Sequence, residues 1–315
     1  KEKLSNTLIK CIRLAKIIGT ALGCKLKLSS KFDRKNYFYP DLAKGFQISQ
    51  YDLPFSVDGQ IEINLPTSTK IIGVTRAHLE EDTGKLVHTK VDGRDVTLID
   101  FNRSGVPLIE IVSEPDMNSS EEAKAYAAKI QQIIRYVGAS DADMEKGSMR
   151  IEPNVSLRKV TKGTNDTKGS NALPPYKVEL KNINSFRFVQ QAIEFEIKRQ
   201  TEILERGETP QQETRGWNES KNETFSQRTK EDAHDYRYFP EPDLPTLSYK
   251  NSYFEQLAKD LPELPDQKRQ RFQKQFALSA YDVEILTRTT TLAAYFEEAV
   301  KAGQLVGVSA KSLAN

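Results

Sequence analysis

Apolar residues recur at helical spacing over 4–22, at Leu4, Leu8, Ile9, Ile12, Leu14, Ala15, Ile18 and Leu22, and Gly23 stops the run. That spacing predicts a first helix. Residues 31–55 break the rhythm. Phe32, Tyr37, Phe38, Tyr39, Pro40, Tyr51 and Pro54 stand among turn formers there, which predicts a loop or hairpin. β-Branched runs then predict strands at 60–65, 69–77, 86–91, 95–101 and 106–113, punctuated at Asp58-Gly59, Asp92-Gly93 and Ser104-Gly105. A second helix opens at the capping box Ser119-Ser-Glu-Glu122, carries Tyr126, Ala127, Ile130, Ile133, Ile134 and Val137 on one face, and ends at Gly138.

Across 147–158, Met149, Ile151, Val155 and Leu157 alternate with Arg150, Glu152, Asn154, Ser156 and Arg158, the period of a strand with one polar face. Residues 159–175 read as a mobile Lys/Thr/Asn/Gly/Pro loop, and 177–181 alternates again, with Val178 and Leu180 inward. A long helix is predicted over 185–207, capped by Ser185, with Phe186, Val189, Ile193, Ile197, Gln200 and Leu204 on its buried side. Residues 213–217 look strand-like, and Pro240, Pro242 and Pro245 preclude a regular helix in the segment that follows. From about 252, Leu257, Leu261, Phe272, Phe276, Leu286, Leu292, Phe296 and Val300 predict short helices broken at Pro262, Pro265 and Gly303. The expected architecture is α+β: a mostly antiparallel sheet with packed helices over 1–247, then an all-α domain over 248–315, with no clear internal repeat.

Composition narrows the chemistry. The chain has 315 residues, 37% hydrophobic and 29% charged, as in a folded, rather polar protein. No apolar run nears the roughly 20 residues that span a bilayer. A formal net charge of +2 does not identify a nucleic-acid binder, so any basic surface must come from segregated charge. Cys11 and Cys24 have no Cys or His at ligand spacing and read as small buried residues in a reducing compartment. With three histidines (His78, His88, His234), no G-x-S-x-G serine and no phosphate-cradling P-loop, His-rich zinc catalysis and Walker-type nucleotide binding are disfavoured.

His78-Leu-Glu-Glu-Asp-Thr-Gly-Lys85 packs three carboxylates, an imidazole and an ammonium into eight residues, directly after the apolar run 71–74. It is either a solvated acidic turn or a holder of a hard cation, because burying unpaired charge costs several kcal/mol, roughly. The polar faces of the strands at 150–154 and 177–181 add Arg150, Glu152, Asn154, Lys177, Glu179 and Lys181, and Glu145, Lys146 and Asn102-Arg103 also fall at strand ends or on that face. An ordinary solvated sheet explains such alternation equally well. Carboxylates for Mg²⁺ beside Arg and Lys for phosphates would support phosphoryl transfer of the glutamine-synthetase kind, in which a carboxylate is phosphorylated and then attacked by ammonia.

Several long strings resemble the B subunit of the glutamyl/aspartyl-tRNA amidotransferase. They are Lys31-Phe-Asp-Arg-Lys-Asn-Tyr-Phe-Tyr-Pro-Asp41, Gln47-Ile-Ser-Gln-Tyr-Asp52, His78-Leu-Glu-Glu-Asp82, Asp100-Phe-Asn-Arg103, Pro107-Leu-Ile-Glu-Ile-Val-Ser-Glu-Pro-Asp116, Met144-Glu-Lys-Gly-Ser-Met-Arg150, Lys181-Asn-Ile-Asn-Ser185 and Asp235-Tyr-Arg-Tyr-Phe-Pro-Glu-Pro-Asp243. The resemblance runs in order from about 31 to 247. It implies a cradle of the glutamine synthetase/guanido kinase type. It also implies ATP and Mg²⁺ as cofactors, and activation of the glutamate side chain on mischarged Glu-tRNA(Gln). The amide would be made with ammonia channelled from an amidase A subunit, in a complex with a small third subunit. The activity implied is that of a glutamine-hydrolysing glutaminyl-tRNA synthase.

Carried over by the resemblance, Glu81, Glu145 and Glu152 stand as catalytic residues and Glu80, Glu81 and Glu179 as metal ligands. Lys44 is similar to a lysine at the family's ammonia passage. Arg150 and Lys181 are inferred phosphate binders from the charge of the polar face. Tyr236 and Arg237 are expected to stack on and pair with the tRNA end, or else to pack a Pro-rich loop into the domain seam. Set against the family pattern, the sequence begins inside the helix that follows the N-terminal Gly-x-Glu-x-His motif and shows no tail domain, so either a fragment with its N-terminal part missing or an incomplete site is expected; Lys146 stands where a second acid is common, and Glu152 where Asp is common. The loop at 159–175 and the mild basicity favour a mitochondrial matrix enzyme, with a bacterial cytoplasm as the alternative. A scaffold that only binds amidase and tRNA, and a free-standing carboxylate–amine ligase, remain competing readings. The exposed aromatics of 31–55 suggest an obligate complex.

Overall fold

Two helix-backed sheets and a set of C-terminal helices are seen in the computed structural model, which describes residues 5–158, 173–229, 236–305 and 308–314. The chain begins with α1 (Asn6–Ala21), β1 (Lys25–Leu26), β2 (Ser29–Ser30), β3 (Asp33–Asn36), β4 (Phe46–Ser49), β5 (Ser56–Asn64) and β6 (Thr69–Glu81). It continues with β7 (Lys85–Val91), β8 (Arg94–Asp100), β9 (Pro107–Ser113), α2 (Ser120–Tyr136), β10 (Asn154–Val155), β11 (Val178–Lys181), α3 (Phe186–Glu205), β12 (Glu213–Asn218) and β13 (Glu223–Thr229). Then come β14 (Phe239–Pro240), β15 (Leu247–Ser248), α4 (Asn251–Lys259), α5 (Pro265–Phe276), α6 (Ala280–Leu286), α7 (Thr290–Leu305) and α8 (Ala310–Ala314).

The first sheet has the order β1-β5-β6-β9 and is antiparallel throughout. α1 and α2 bury it through Ile18, Ala21, Leu22, Ile61, Ala77, Ile130, Ile133 and Ile134. The second sheet has the order β10-β11-β12-β13, and Val178, Leu180, Val189, Ile193 and Trp217 form its core under α3. The α+β expectation holds, with one parallel exception: β11 and β12 run the same way because α3 carries the chain back between them. A smaller sheet β14-β3-β4 and the pair β15-β2 tie residues 239–248 to the N-terminal part.

The long helices start where capping chemistry places them. Ser119 and Ser185 accept the N–H groups of Glu122 and Phe188 at 3.1 and 3.2 Å. The Glu122 carboxylate reaches Asn118 N–H rather than the cap itself, and also takes Lys70. Asp92-Gly93 turns the β7–β8 hairpin with both residues at positive φ, 50° and 76°, as its sequence requires.

Some expectations change. The run 147–158 keeps its in–out alternation, but only Asn154 and Val155 pair as strand; Pro153 has no N–H to offer a ladder. Cys11 and Cys24 are free and half-buried rather than buried. The loop expected at 159–175 lies outside the described residues except for 173–175. Among the described residues no helix is long and apolar enough to cross a membrane.

Under the second sheet Glu196 is fully buried between two arginines. Arg199 meets it with Nε and Nη2 at 2.9–3.1 Å, Arg215 Nε lies 3.1 Å away, and Gln200 and Thr224 donate to it as well. Glu213 pairs with the same two arginines.

Lys16 is also fully buried, with its ammonium over the Tyr249 ring and near Phe55, Tyr253 and Phe254. Burial lowers its pKa to about 7. Because the unfolded lysine keeps its ordinary affinity for protons, the unfolded state binds more protons between about pH 7 and pH 10.5, and folding stability rises with pH across that window. Lys16→Met is expected to flatten that rise, measured as urea midpoints from pH 7 to pH 10. An unchanged slope would show that Lys16 is not the group responsible.

Candidate active site at the end of a long strand

β5 leaves β6 at the pair Ser56–Ala77, and β6 runs on through 78–81 with β9 on one side only. On its other edge two buried glutamines of the β4 segment take the place of a strand. Gln50 Oε1 accepts the Leu79 N–H at 3.0 Å, and Gln47 Nε2 donates to the Glu81 carbonyl at 2.7 Å. The acids expected just beyond a strand therefore sit inside it, and strand alternation sends Glu80 and Glu81 to opposite faces.

Glu80 faces inward. Ser49 Oγ donates to it at 3.1 Å and His78 Nε2 lies 3.5 Å away. Burial pushes its carboxyl up, but His78, Lys35 and Ser49 outweigh that and hold it below the ordinary carboxylate range. A tyrosine cluster surrounds it. Tyr51 stacks on Tyr238 with centroids 4.3 Å apart, and Tyr236 meets Tyr37 and Tyr238 edge-on. Burial, assisted by acids that include Glu80, pushes the Tyr37 and Tyr238 phenols up. Residues 236–241 are knitted to β3. Asn36 donates to the carbonyls of Tyr236 and Arg237, both at 2.8 Å, and Arg34 grips Glu241 with two hydrogen bonds. Tyr236 thus packs in a seam while staying 38% exposed.

Glu81 faces the other way, into a cleft of about 170 Å³ lined by Lys44, Phe46, Asp82 and Gly105. Lys44 Nζ and the Ile48 N–H (2.9 Å) both donate to Glu81 Oε1, and the Lys44 ammonium lies 4.9 Å from the Phe46 ring centre. Next in sequence, buried Asp82 takes Arg150 Nη2 at 2.7 Å and Arg103 Nη2 at 3.1 Å. Arg103 also donates to the Gly147 carbonyl.

On the second sheet Lys181 lies 3.4 Å from Glu152 and 3.9 Å from Glu179, whose other oxygen accepts from Thr214 Oγ1 at 3.0 Å. Burial lowers the Lys181 pKa, but the two glutamates override it and leave it raised; Arg150 is close enough to oppose them. Glu145 projects from the 143–147 turn with its N–H on Asp143, and Lys146 turns to the same aspartate at 3.3 Å. The structure therefore brings together Glu81 with Lys44, and Glu152, Glu179 and Lys181 with Arg150 alongside. It leaves Glu145 apart from both groups. Sequence reasoning places Asp82 in the acidic cluster and the two glutamines in a family string without giving any of them a role, and does not single out Thr214. Only the pairing of strands far apart in sequence reveals them.

The expected ligand trio Glu80, Glu81 and Glu179 is not gathered into one group. Among the described residues the one group with three donor atoms within 4.8 Å of each other is His78, Glu80 and Glu110, the first and last a cross-strand pair. It suits Mg²⁺ poorly. Arg76 Nε points at His78 Nδ1 from 3.4 Å, which leaves the ring proton on Nε2, towards the carboxylates. Mg²⁺ also prefers oxygen donors. Glu81 and Glu179, part-exposed carboxylates beside cationic groups, offer the donor chemistry that Mg²⁺ takes when phosphate supplies its remaining ligands.

Fold and site define an α+β protein with a densely charged cleft at the open end of its first sheet. The chain belongs to the GatB/GatE catalytic domain family, whose profile matches residues 5–255. It is 49% identical over 292 residues to the B subunit of an aspartyl/glutamyl-tRNA(Asn/Gln) amidotransferase from Caldicellulosiruptor saccharolyticus, a match that covers 93% of the chain and 58% of that relative. The same protein from Thermodesulfovibrio yellowstonii is 52% identical over 285 residues (90% and 58%), and that from Roseiflexus castenholzii 48% over 306 residues (97% and 61%). The chain spans about three fifths of the length of these curated relatives. All three are bacterial and lend no support to a mitochondrial origin.

Proposed function

We propose that this chain carries the site at which a carboxylate side chain on a mischarged tRNA is activated by ATP and converted to an amide, Glu-tRNA(Gln) becoming Gln-tRNA(Gln). The observation that carries the reading is the Lys44–Glu81 pair at the end of β6, beside arginines gathered on Asp82. The substrate carboxylate attacks the terminal phosphorus of ATP, releasing ADP and leaving an acyl phosphate. Ammonia then attacks the acyl carbon and inorganic phosphate departs. The attacking nitrogen must shed a proton, and in this reading Glu81 accepts it while Lys44 and the Ile48 N–H, which donate to its carboxylate, hold it in position. Arg150 and Lys181 neutralise phosphate charge. Mg²⁺ would supply further charge neutralisation, with the carboxylates of Glu81 and Glu179 as the separate oxygen donors open to it.

In this reading the ammonia comes from an amidase A subunit, a small third subunit completes the complex, and the segment 248–315 begins the tRNA-binding part. Phe38, 87% exposed, and Tyr51, 61% exposed, give the 31–55 region an apolar surface for such partners. The bacterial relatives fit a bacterial-type translation system, in a bacterium or in an organelle that descends from one.

The test is an amidation assay on the full-length protein in its complex, with Mg-ATP, glutamine and Glu-tRNA(Gln). Conversion of tRNA-bound Glu to Gln, dependent on ATP, is the expected result. Tight binding of tRNA and amidase without ATP turnover would reduce the chain to a scaffold, and amidation of free glutamate without tRNA would make it a small-molecule ligase. Replacing Glu-tRNA(Gln) with Asp-tRNA(Asn) in the same assay separates the two substrates that the relatives' name covers.

A further inference from the structure

We propose that Asp82 is the positioning residue of an oxyanion subsite, in which it holds the guanidiniums of Arg103 and Arg150 side by side to grip a phosphoryl group. The inference rests on the ATP-dependent reading above and adds the residues that recognise the phosphate.

Asp82 is fixed from every side. Its N–H donates to the Val106 carbonyl at 2.7 Å, its carbonyl accepts from Gly105 at 2.9 Å, and Oδ1 accepts the Thr83 N–H at 3.0 Å. What remains of the carboxylate goes to the two arginines, Arg150 on Oδ1 and Arg103 on Oδ2. Asp82 is 5% exposed, whereas the arginine side chains are 43% and 50% exposed. The carboxylate is therefore a buried anchor and the guanidiniums are its outward face. Arg103 is tethered a second time, to the carbonyl of Gly147, a residue at φ 71° where a Cβ would stand 3.0 Å from Arg103 Nη1. A side chain there would push the guanidinium out of place.

Here two cations share one carboxylate, which leaves net positive charge at the rim of the cleft that holds Glu81. Arg150 also lies within electrostatic reach of Lys181 on the second sheet, whose charge Glu152 and Glu179 offset, so the excess positive charge stays with the two arginines on Asp82. Paired guanidinium forks match phosphate oxygens in a bidentate way that a lone lysine does not. The ligand chemistry is a phosphoryl oxyanion, whether from a nucleotide or from the RNA backbone.

The test uses the assembled complex with Asp82→Asn and, should that variant fold poorly, Arg103→Lys, which keeps the charge and loses the fork. The expected result is a KM for ATP raised about 10- to 100-fold with kcat changed less than about 3-fold, and weaker binding of pyrophosphate by calorimetry. If the KM for tRNA rises instead and that for ATP does not, the gripped phosphate belongs to the RNA, and the subsite stands with that source. Unchanged KM values together with unchanged pyrophosphate binding in both variants would overturn the proposal. A wild-type complex without ATP turnover would sink the functional reading, while pyrophosphate binding lost on Arg103→Lys would still support the subsite.

Discussion

Glu81→Gln is expected to lower ATP-dependent amidation by the assembled complex about 10²- to 10³-fold while the glutaminase activity of the partner stays within about 2-fold of normal. The substitution is nearly isosteric. The amide oxygen can still accept the Ile48 N–H, so the end of β6 keeps its shape. What disappears is the negative charge that faces Lys44 and the group that would take the proton from the attacking nitrogen. Lys44 is 46% exposed, so losing this ion pair costs about 1 kcal/mol or less in stability and the variant should fold normally. Radiolabelled ATP and analysis of the amino acid released from tRNA give both readouts in one experiment. Normal amidation by Glu81→Gln would remove Glu81 from the mechanism.

The largest effect on stability is expected at Glu196, far from the cleft. Glu196→Ala leaves Arg199 and Arg215 facing each other under the second sheet with Glu213 as the carboxylate they still share, one anion for two cations, and breaking a buried pair in this way typically costs about 3–5 kcal/mol. Urea unfolding measures it directly; a loss under about 1 kcal/mol would mean that Glu213 and water compensate fully. A pH dependence follows with the same sign as that of Lys16, in an acidic window instead of an alkaline one. Burial pushes the Glu196 carboxyl up, but the hydrogen bonds from Arg199, Thr224 and Gln200 win and hold it below its ordinary value of 4.5. Its contribution is therefore present above that value and is lost as the pH falls below it through the folded-state pKa. Wild-type protein should lose stability on acidification in that range more steeply than Glu196→Gln.

The long helices are legible in the sequence because their signals are local. Ser119 and Ser185 cap, the apolar stripes repeat, and Gly138 and Gly207 stop the runs at positive φ. Strands are legible as elements but not as partners. Nothing local in Gln47-Ile-Ser-Gln50 says that two glutamine side chains will complete the edge of β6, or that the strand predicted to end near 77 will carry His78 to Glu81 as well. The site shows the same division. Family resemblance points to Glu81 and Lys44 separately, and the geometry joins them. Glu80, its neighbour, reads identically in sequence, yet the two-residue period of the strand turns it, itself buried, to a part-exposed tyrosine cluster on the opposite face. The importance of Asp82 depends on Arg103 and Arg150 arriving from two other segments, the second of them 68 positions away.

The pairing of β14 with β3 has a consequence for how the protein is made. Arg34 waits for Glu241, 207 positions later, and β2 has no strand beside it until β15. At about 5–20 residues per second of synthesis, that interval lasts roughly 10–40 s. Throughout it the aromatic N-terminal segment stands beside an unfinished seam, although every residue that lines the cleft is already made. A nascent chain stalled before residue 239 should therefore display Phe32, Tyr37 and the open edge of β3, which Phe239 later covers, to any holding chaperone. Release from that chaperone should coincide with emergence of the 239–248 segment from the ribosome.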